Sequence, residues 1–415
     1  MTAHRRRTLR AFYTFRLVAP FVYTMWLTVA TLYFASVVTT DPFRLATLAV
    51  MLEAATLVFE VPTGILADSF SRKWSIVVGY LIWGAGYLLQ ALTPDYGIVL
   101  LSQAVWGLGF TFVSGAPEAW LVDELGQEEA MPLLLRGSQI GQASTALGIV
   151  VATIVGTINV ALPIAVGGIA TILLALLLGV IMPERGFQPA RRGAGGLHAL
   201  SATLRASLLE LKRSDALRAL VFIGLVIGVS VGGYDALYAP HILQYYTIPF
   251  FEPVIWFGIL FGCVTVLSIP VLELVKRWLQ GDWQQRTATV LAWFAAGTVL
   301  CNLVFVWTQN YYLLAIVYCL GQTLRTVTKP VFMAWINQHA SSELRATVIS
   351  MYWQSNALGQ ILAAPAWGAL AKAYSLRVAL TGASLSLAPV VRIYRSRRFT
   401  GAAHSTSGDP VLHQE

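Results

Sequence analysis

The sequence predicts an all-α integral membrane protein with twelve transmembrane helices in two six-helix halves. Composition is the first observation behind this prediction: of 415 residues, 57% are hydrophobic and only 12% are charged. A soluble protein carries about 25% charged residues. Lipid is therefore the expected solvent for most of the chain.

Long apolar runs are the second observation. A helix of about 18 or more apolar residues crosses the roughly 30 Å hydrocarbon core of a bilayer. Such runs lie near residues 12–38, 43–67, 74–93, 97–121, 136–160, 162–182, 216–240, 249–275, 288–307, 311–337, 346–371 and 376–394.

A polar stretch separates the sixth run from the seventh. We therefore predict an N-terminal bundle over 1–182, a cytoplasmic linker over 183–215, a C-terminal bundle over 216–398 and a cytoplasmic tail over 399–415. Within the linker, an amphipathic helix on the membrane surface is expected over residues 199–211.

The placement of the basic residues is the third observation. Of the 28 Lys and Arg residues, 23 lie in the termini and in one set of alternating loops, and three lie in the opposite loops. By the positive-inside rule both termini are then cytoplasmic, as expected of a multi-pass protein of the cell membrane. Because topology accounts for the net charge of +8, nucleic acid is not an expected partner.

The turn between the second and third predicted spans has the sequence GILADSFSRKWSI, residues 64–76. It resembles the signature loop of major facilitator superfamily transporters, which it matches at Gly64, Leu66, Ala67, Asp68, Arg72 and Lys73. Ser69 and Ser71 stand where the family pattern has Arg and Gly. The resemblance implies the major facilitator fold, in which two halves rock around a midplane site.

In that resemblance Gly64, Asp68, Arg72 and Lys73 form a gating loop rather than a substrate site. Asp68 is expected to meet the N-terminus of the eleventh span, whose unpaired N–H groups favour an anion. Gly64 permits close approach of helices there, and Arg72 holds Asp68 or the adjacent backbone.

Two further segments, FEVPTG at 59–64 and SGAPEAW at 114–120, resemble a bacterial drug-efflux branch that includes macrolide-efflux relatives, the third drug:proton antiporter group. This resemblance implies a secondary-active exporter of amphipathic small molecules, coupled to an ion gradient that we expect to be a proton gradient. Gln103, however, stands where such antiporters carry an Arg four residues before a Gly. An importer or facilitator of a nutrient or metabolite is the open alternative.

Acidic residues inside the spans are candidates for ion coupling, because a charge there is costly. Glu53 and Glu60 share one face of the second span, and Glu60 lies about 12 Å deeper than Asp68. Glu60 is the preferred proton carrier, and Asp235 in the seventh span is the next candidate. Alternatively, the two Glu residues face a water-filled cavity or pair with basic residues, and Asp235 is a hydrated gate residue.

The candidate substrate cavity combines aromatic, amide and charged side chains: Trp26, Glu118, Tyr234, Tyr238, Arg325, Lys329, Trp353 and Asn356. Such groups in an apolar cavity bind bulky amphipathic molecules. We also expect Glu118 and Lys329 to pair when the cytoplasmic side is closed. The alternatives are that Glu118 is only hydrated and that most aromatic residues serve packing or the interface belt.

Other classes of function are disfavoured. The sequence has no clustered His, Cys and acidic residues at metal-ligand spacing and no Gly-rich phosphate loop, so we expect neither an enzyme nor a metal or cofactor. A non-transporting receptor would usually add a soluble domain, for which the tail is too short. The expected partners are the lipid bilayer, a small-molecule substrate and a proton or other coupling ion, and we expect a monomer.

Overall fold

The computed structural model describes residues 3–189, 215–280, 283–339 and 342–395. All regular secondary structure in these residues is helical, which confirms the predicted all-α fold. The predicted amphipathic helix over 199–211 and the tail over 399–415 lie outside the described residues.

Fourteen α-helices are present in the described ranges, in the following order. They are α1 (Ala3–Tyr33), α2 (Pro42–Ser69), α3 (Arg72–Leu92), α4 (Tyr96–Val113), α5 (Ala116–Leu125), α6 (Gln127–Gly156), α7 (Leu162–Ile181), α8 (Asp215–Tyr245), α9 (Pro253–Leu279), α10 (Trp283–Trp307), α11 (Tyr311–His339), α12 (Ser342–Ala373), α13 (Leu376–Leu385) and α14 (Ala388–Tyr394). A π-helical turn, Phe34–Val38, extends α1.

These helices form the predicted membrane spans. Within the described ranges, ten helical segments are long and apolar enough to cross a membrane. Helices α11 and α12, with 29 and 32 residues, are also long enough but carry more polar side chains, including Arg325, Lys329 and Asn356.

The fourth predicted span consists of two helices, α4 and α5, separated by a short break. Helix α4 ends at Val113, and α5 begins at Ala116 after Gly115, which has a left-handed φ of 72°. Pro117 lies in the first turn of α5, where its missing N–H costs no helical hydrogen bond. Gly115 supplies the left-handed backbone conformation that breaks the helix.

The contacts divide the chain into two compact units. The N-terminal unit comprises the described residues of Met1–Ser201 and Ala236–Gly262, and the C-terminal unit comprises those of Ala202–Asp235 and Cys263–Glu415. Two of the described helices therefore belong to both units: α8 changes unit after Asp235, and α9 changes unit after Gly262.

In the N-terminal unit, the segment 236–262 packs tightly on α1 and α6. A Cβ added at Gly258 would lie 2.0 Å from Oγ1 of Thr153, so the helices approach as closely as glycine allows. The hydroxyl oxygens of Tyr238 and Thr31 lie 2.7 Å apart. This segment is thus an integral part of the N-terminal unit.

In the C-terminal unit, glycines bring α8 against α12. A Cβ at Gly228 would lie 2.0 Å from the carbonyl oxygen of Asn356, and one at Gly359 would lie 2.3 Å from that of Leu225. The Asn356 amide donates to the carbonyl of Gly224 at 3.3 Å. Small residues permit this backbone approach and leave carbonyls open to side-chain donors.

Candidate functional site

An aromatic cluster lies between α1, α3 and α4 of the N-terminal unit. The ring of Trp26 stacks on Tyr87 at 5.6 Å and lies 4.3 Å from Trp106, and Trp83 contacts both of these neighbours. All four side chains are buried. Tyr23, 37% exposed, stacks on Trp26 and extends the cluster towards the surface of the unit.

Two buried amides organise the polar edges of this aromatic cluster. The indole N–H of Trp26 and the Nε2 of Gln103 both donate to Oε1 of Gln90 at 3.1 Å. Tyr33 donates to the Gln90 carbonyl at 2.8 Å. Gln103, which is 2% exposed, thus places a neutral, hydrogen-bonded amide at this edge of the cluster.

Sequence reasoning selected Trp26 but missed Gln90 as its partner. Gln90 is the one amide in the apolar run 74–93, and a polar group that is buried must find hydrogen bonds. A single amide in an otherwise apolar run is therefore the sequence feature that could have identified Gln90.

The C-terminal unit contains a different site, an ion pair between α8 and α11. Arg325 donates from Nη1 to Oδ1 of Asp235 at 2.7 Å and from Nη2 to Oδ2 at 2.9 Å. The side chains are 30% and 40% exposed, respectively. The fork of the guanidinium therefore matches both carboxylate oxygens while the pair stays within reach of water.

Aromatic rings surround this pair. Tyr234 packs 5.6 Å from Phe305, which in turn lies 6.0 Å from Tyr318. Both tyrosines are buried and contribute to the electrostatic environment of Arg325. Two of the predicted site residues, Asp235 and Arg325, are thus joined in one site, with Tyr234 beside them.

The other candidate residues have separate environments. Glu60, Lys329 and Trp353 are exposed, and Glu53 is near enough to Tyr23 to affect it electrostatically. Asn356 is buried and is engaged in the α8–α12 contact described above. Pairing of Glu118 with Lys329 stays a prediction; within its own unit, Glu118 lies 3.6 Å from Nη1 of Arg16.

The signature turn is held by contacts inside the N-terminal unit. Ser71 caps α3 by accepting from the N–H of Trp74 at 3.0 Å, and it donates to Oε2 of Glu184 at 2.6 Å. The backbone N–H of Lys73 donates to Oε1 of the same Glu184 at 2.9 Å. Serine in place of the family's glycine thus brings a cap and a link to the chain that follows α7.

Arg72 lies between two acids in this turn. Its Nη2 is 3.5 Å from Oδ1 of Asp68, and its Nε is 2.6 Å from Oδ2 of Asp123 at the end of α5. A Cβ at Gly64 would meet no atom within 4 Å among the described residues. The close helix contact expected at Gly64 and the latch both remain predictions.

A second acid of α5 anchors the chain after α7. Oε1 of Glu124 accepts from the backbone N–H groups of Arg185 and Gly186, at 2.6 and 2.7 Å. Its Oε2 lies 3.0 Å from Nε2 of His4, and Trp120 donates to the carbonyl of Pro183 at 2.7 Å. The first residues of the predicted linker are thus fixed to the N-terminal unit.

Comparisons with known proteins agree with this architecture. The family model described as Major Facilitator Superfamily matches residues 13–364. The chain is 18% identical to the uncharacterized MFS-type transporter YxaM of Bacillus subtilis (strain 168), covering 81% of this chain and 82% of that protein.

Two solved structures show the same fold at low sequence identity. A point mutant of the nucleoside transporter NupG superposes with a TM-score of 0.76 at 13% identity, covering 95% of this chain and 99% of that one. A point mutant of the peptide transporter POT, in complex with sulfate, superposes with a TM-score of 0.72 at 14% identity, covering 95% of each chain. The chain belongs to the major facilitator superfamily and is a multi-pass membrane transporter.

Proposed function

We propose that this transporter is secondary-active and exports amphipathic small molecules, with transport coupled to a proton gradient. The observation that supports the substrate class is the aromatic cluster of Trp26, Trp83, Tyr87 and Trp106 with its two amides. Ring faces bind flat apolar groups, and neutral amides satisfy one or two polar groups without demanding a charge.

The aromatic cluster extends to the surface of the N-terminal unit, which supports a role in ligand binding in addition to packing. Tyr23 is partly exposed and stacked on Trp26 at 6.4 Å, so a ligand ring that displaces Tyr23 would meet an aromatic face already in place. Export is the direction that the resemblance of segments 59–64 and 114–120 favours. Without a nucleotide-binding motif in the sequence, an ion gradient is the proposed source of energy.

Import of a nutrient is the second candidate. The same combination of ring faces and amides suits an uncharged heterocycle with hydrogen-bonding edges, and the fold neighbour NupG is a nucleoside transporter. The direction of transport therefore has to be measured together with the substrate class.

The experiment uses the full chain reconstituted in sealed vesicles that contain a pH-sensitive dye. Ethidium, tetraphenylphosphonium, erythromycin, uridine and dialanine are added in turn, and proton movement is recorded with the proton gradient in either direction. Proton efflux from acid-loaded vesicles driven by an amphipathic compound supports export by antiport. A response to uridine alone, with proton influx, supports the importer instead.

Trp26→Phe tests the aromatic cluster itself. The smaller ring loses stacking and the hydrogen bond to Gln90, so the half-saturating concentration should rise about 2- to 10-fold. Trp293→Phe is the matched control, because Trp293 is 62% exposed on α10. Equal effects of the two substitutions would contradict a binding role for the cluster.

A further inference from the structure

Two cysteines of the C-terminal unit lie side by side on different helices. Cys263 is on α9 and Cys319 is on α11, and both belong to the same unit. A side-chain hydrogen bond joins their two thiols. Neither cysteine is part of a disulfide in the structure. The chain therefore holds a pair of neighbouring thiols that the proposed transport does not use.

The positions of the two cysteines along their helices agree with this contact. Cys263 comes ten residues after Pro253, where α9 begins, and Cys319 comes eight residues after Tyr311, where α11 begins. At 1.5 Å per residue, the two cysteines lie about 15 and 12 Å from the starts of their helices. Both helices cross the membrane in the same predicted direction, since the one span between them is α10. The two sulfurs are thus at similar depths.

The two thiols differ in accessibility. Cys263 is exposed, and a Cβ added at the neighbouring Gly262 would meet no described atom within 4 Å, so the surface beside Cys263 is open. Cys319 is buried at 9% exposure. Susceptibility of a thiol to oxidation follows its exposure, and a second thiol beside it can trap the oxidised sulfur as a disulfide. An exposed thiol in contact with a buried one matches this arrangement.

We propose that Cys263 and Cys319 form a reversible oxidation site, at which a hydroperoxide converts the two thiols into one disulfide that links α9 to α11. Cys263 is the thiol that the oxidant attacks first, and Cys319 is the resolving thiol. The proposal is independent of which compound the protein transports and in which direction.

The reaction balances with one hydroperoxide as the oxidant. Sγ of Cys263 attacks the outer oxygen of the O–O bond, which breaks; the rest of the oxidant leaves as an alcohol, or as water from hydrogen peroxide, with the thiol proton. Cys263 is then a sulfenic acid. Sγ of Cys319 attacks Sγ of Cys263, and the sulfenic oxygen leaves as water with the proton of Cys319. The two sulfurs lose two electrons, and the hydroperoxide gains them.

The geometry permits the bond. A disulfide requires the two sulfurs to approach to about 2.05 Å, with the Cβ atoms about 4 Å apart. The thiols already contact each other, and the exposed side chain of Cys263 has room to rotate towards Cys319. The packed residue of the pair can therefore stay in place while the exposed residue adjusts.

The third cysteine provides an internal control. Cys301 is buried on α10, and its Cβ lies 3.0 Å from where a Cβ of Gly321 would be. Gly321 comes two residues after Cys319 on α11, and residues two apart on a helix face different directions. Cys301 therefore packs on another side of α11 from the proposed pair and should not take part in the disulfide.

The first test counts thiols. The full chain in phosphatidylcholine vesicles is treated with hydrogen peroxide or with cumene hydroperoxide, denatured and labelled with a maleimide. The number of labelled cysteines should fall from three to one, and dithiothreitol should restore all three. Peptide mass spectrometry should show Cys263 linked to Cys319. Either order of rates supports the proposal: a faster reaction with cumene hydroperoxide identifies the bilayer as the source of the oxidant, and the reverse identifies the aqueous phase.

Three labelled cysteines after treatment with both oxidants would overturn the proposal. A disulfide that includes Cys301, or one between two copies of the chain on a non-reducing gel, would overturn it as well. Cys263→Ala should abolish the link, and its exposed position makes the substitution compatible with folding. Cys301→Ala is the matched control and should leave the link unchanged.

The second test measures what the link does to the fold. A disulfide closes the segment 263–319 into a loop and restricts the unfolded chain, so the oxidised protein should unfold about 5 °C higher than the reduced protein in detergent. Oxidant should not raise the midpoint of Cys263→Ala. If the linked wild type unfolds at or below the temperature of the reduced protein, the bond strains α9 against α11, which would contradict a pair already placed to form it.

Discussion

The two units of this transporter satisfy polar side chains inside the membrane in different ways. In the N-terminal unit, the neutral amides of Gln90 and Gln103 bind each other and Trp26. In the C-terminal unit, Asp235 and Arg325 hold opposite charges together in mid-helix. A hydrogen-bonded neutral amide costs less to bury than a charge, and charges inside a membrane persist mainly in pairs. The N-terminal unit thus relies on neutral amides where the C-terminal unit relies on an ion pair.

A close backbone contact at glycine fixes α8 on α12 in the C-terminal unit, and Gly228→Ala should show the largest effect of the substitutions considered. A Cβ at Gly228 would lie 2.0 Å from a backbone oxygen of α12, which cannot move without shifting the helix. Overpacking of this kind should lower the free energy of unfolding by about 3 kcal/mol. Thermal unfolding in detergent measures the change.

Gly262→Ala is the matched control for that substitution, because a Cβ at Gly262 meets nothing within 4 Å. Alanine there should be neutral or stabilising by up to about 1 kcal/mol. If both variants unfold at the same temperature, close backbone contact does not fix the C-terminal site.

An intermediate effect is expected from Gln90→Leu in the N-terminal unit. The substitution leaves the indole N–H of Trp26 and the amide of Gln103 without their shared acceptor, which should cost about 2 kcal/mol of unfolding free energy. Adding Gln103→Leu should recover part of the loss, because two apolar groups leave fewer unpaired donors. Greater loss in the double variant would show that the amides do not act as a pair.

The smallest effect is expected from Ser71→Gly, which restores the residue of the family pattern. It removes the α3 cap, worth a few tenths of a kcal/mol against Gly, and the hydrogen bond to Glu184, worth about 1 kcal/mol. In a Glu184→Ala background the same substitution should cost only the cap. Equal costs in the two backgrounds would contradict the link through Glu184.

The helices could be predicted because lipid imposes a length and an apolar composition that are visible in any one segment. The predicted run near 376–394, for example, ends where α14 ends, at Tyr394. The Asp235–Arg325 pair could not be predicted in the same way, since 90 residues separate its members. Both residues could be selected for their cost in a membrane, but only the fold brings them together.

Sequence alone also does not show which helices pack against one another. The domain bounds predicted from the polar linker, 1–182 and 216–398, stay a prediction; the contacts group residues 236–262 with the N-terminal unit. That assignment depends on contacts such as Gly258 with Thr153, between helices far apart in sequence. A sequence read alone gives the polarity of a segment but not its neighbours.

The discontinuous N-terminal unit has a consequence for the order of biosynthesis. Domains generally fold as their residues emerge from the ribosome, N-terminal parts first. Here Tyr238, Val254 and Gly258 contact Thr31, Gly156 and Thr153 of the first six spans, and these partners are made long before residues 236–262. These contacts can therefore form only after the end of α8 and the first part of α9 have been synthesised.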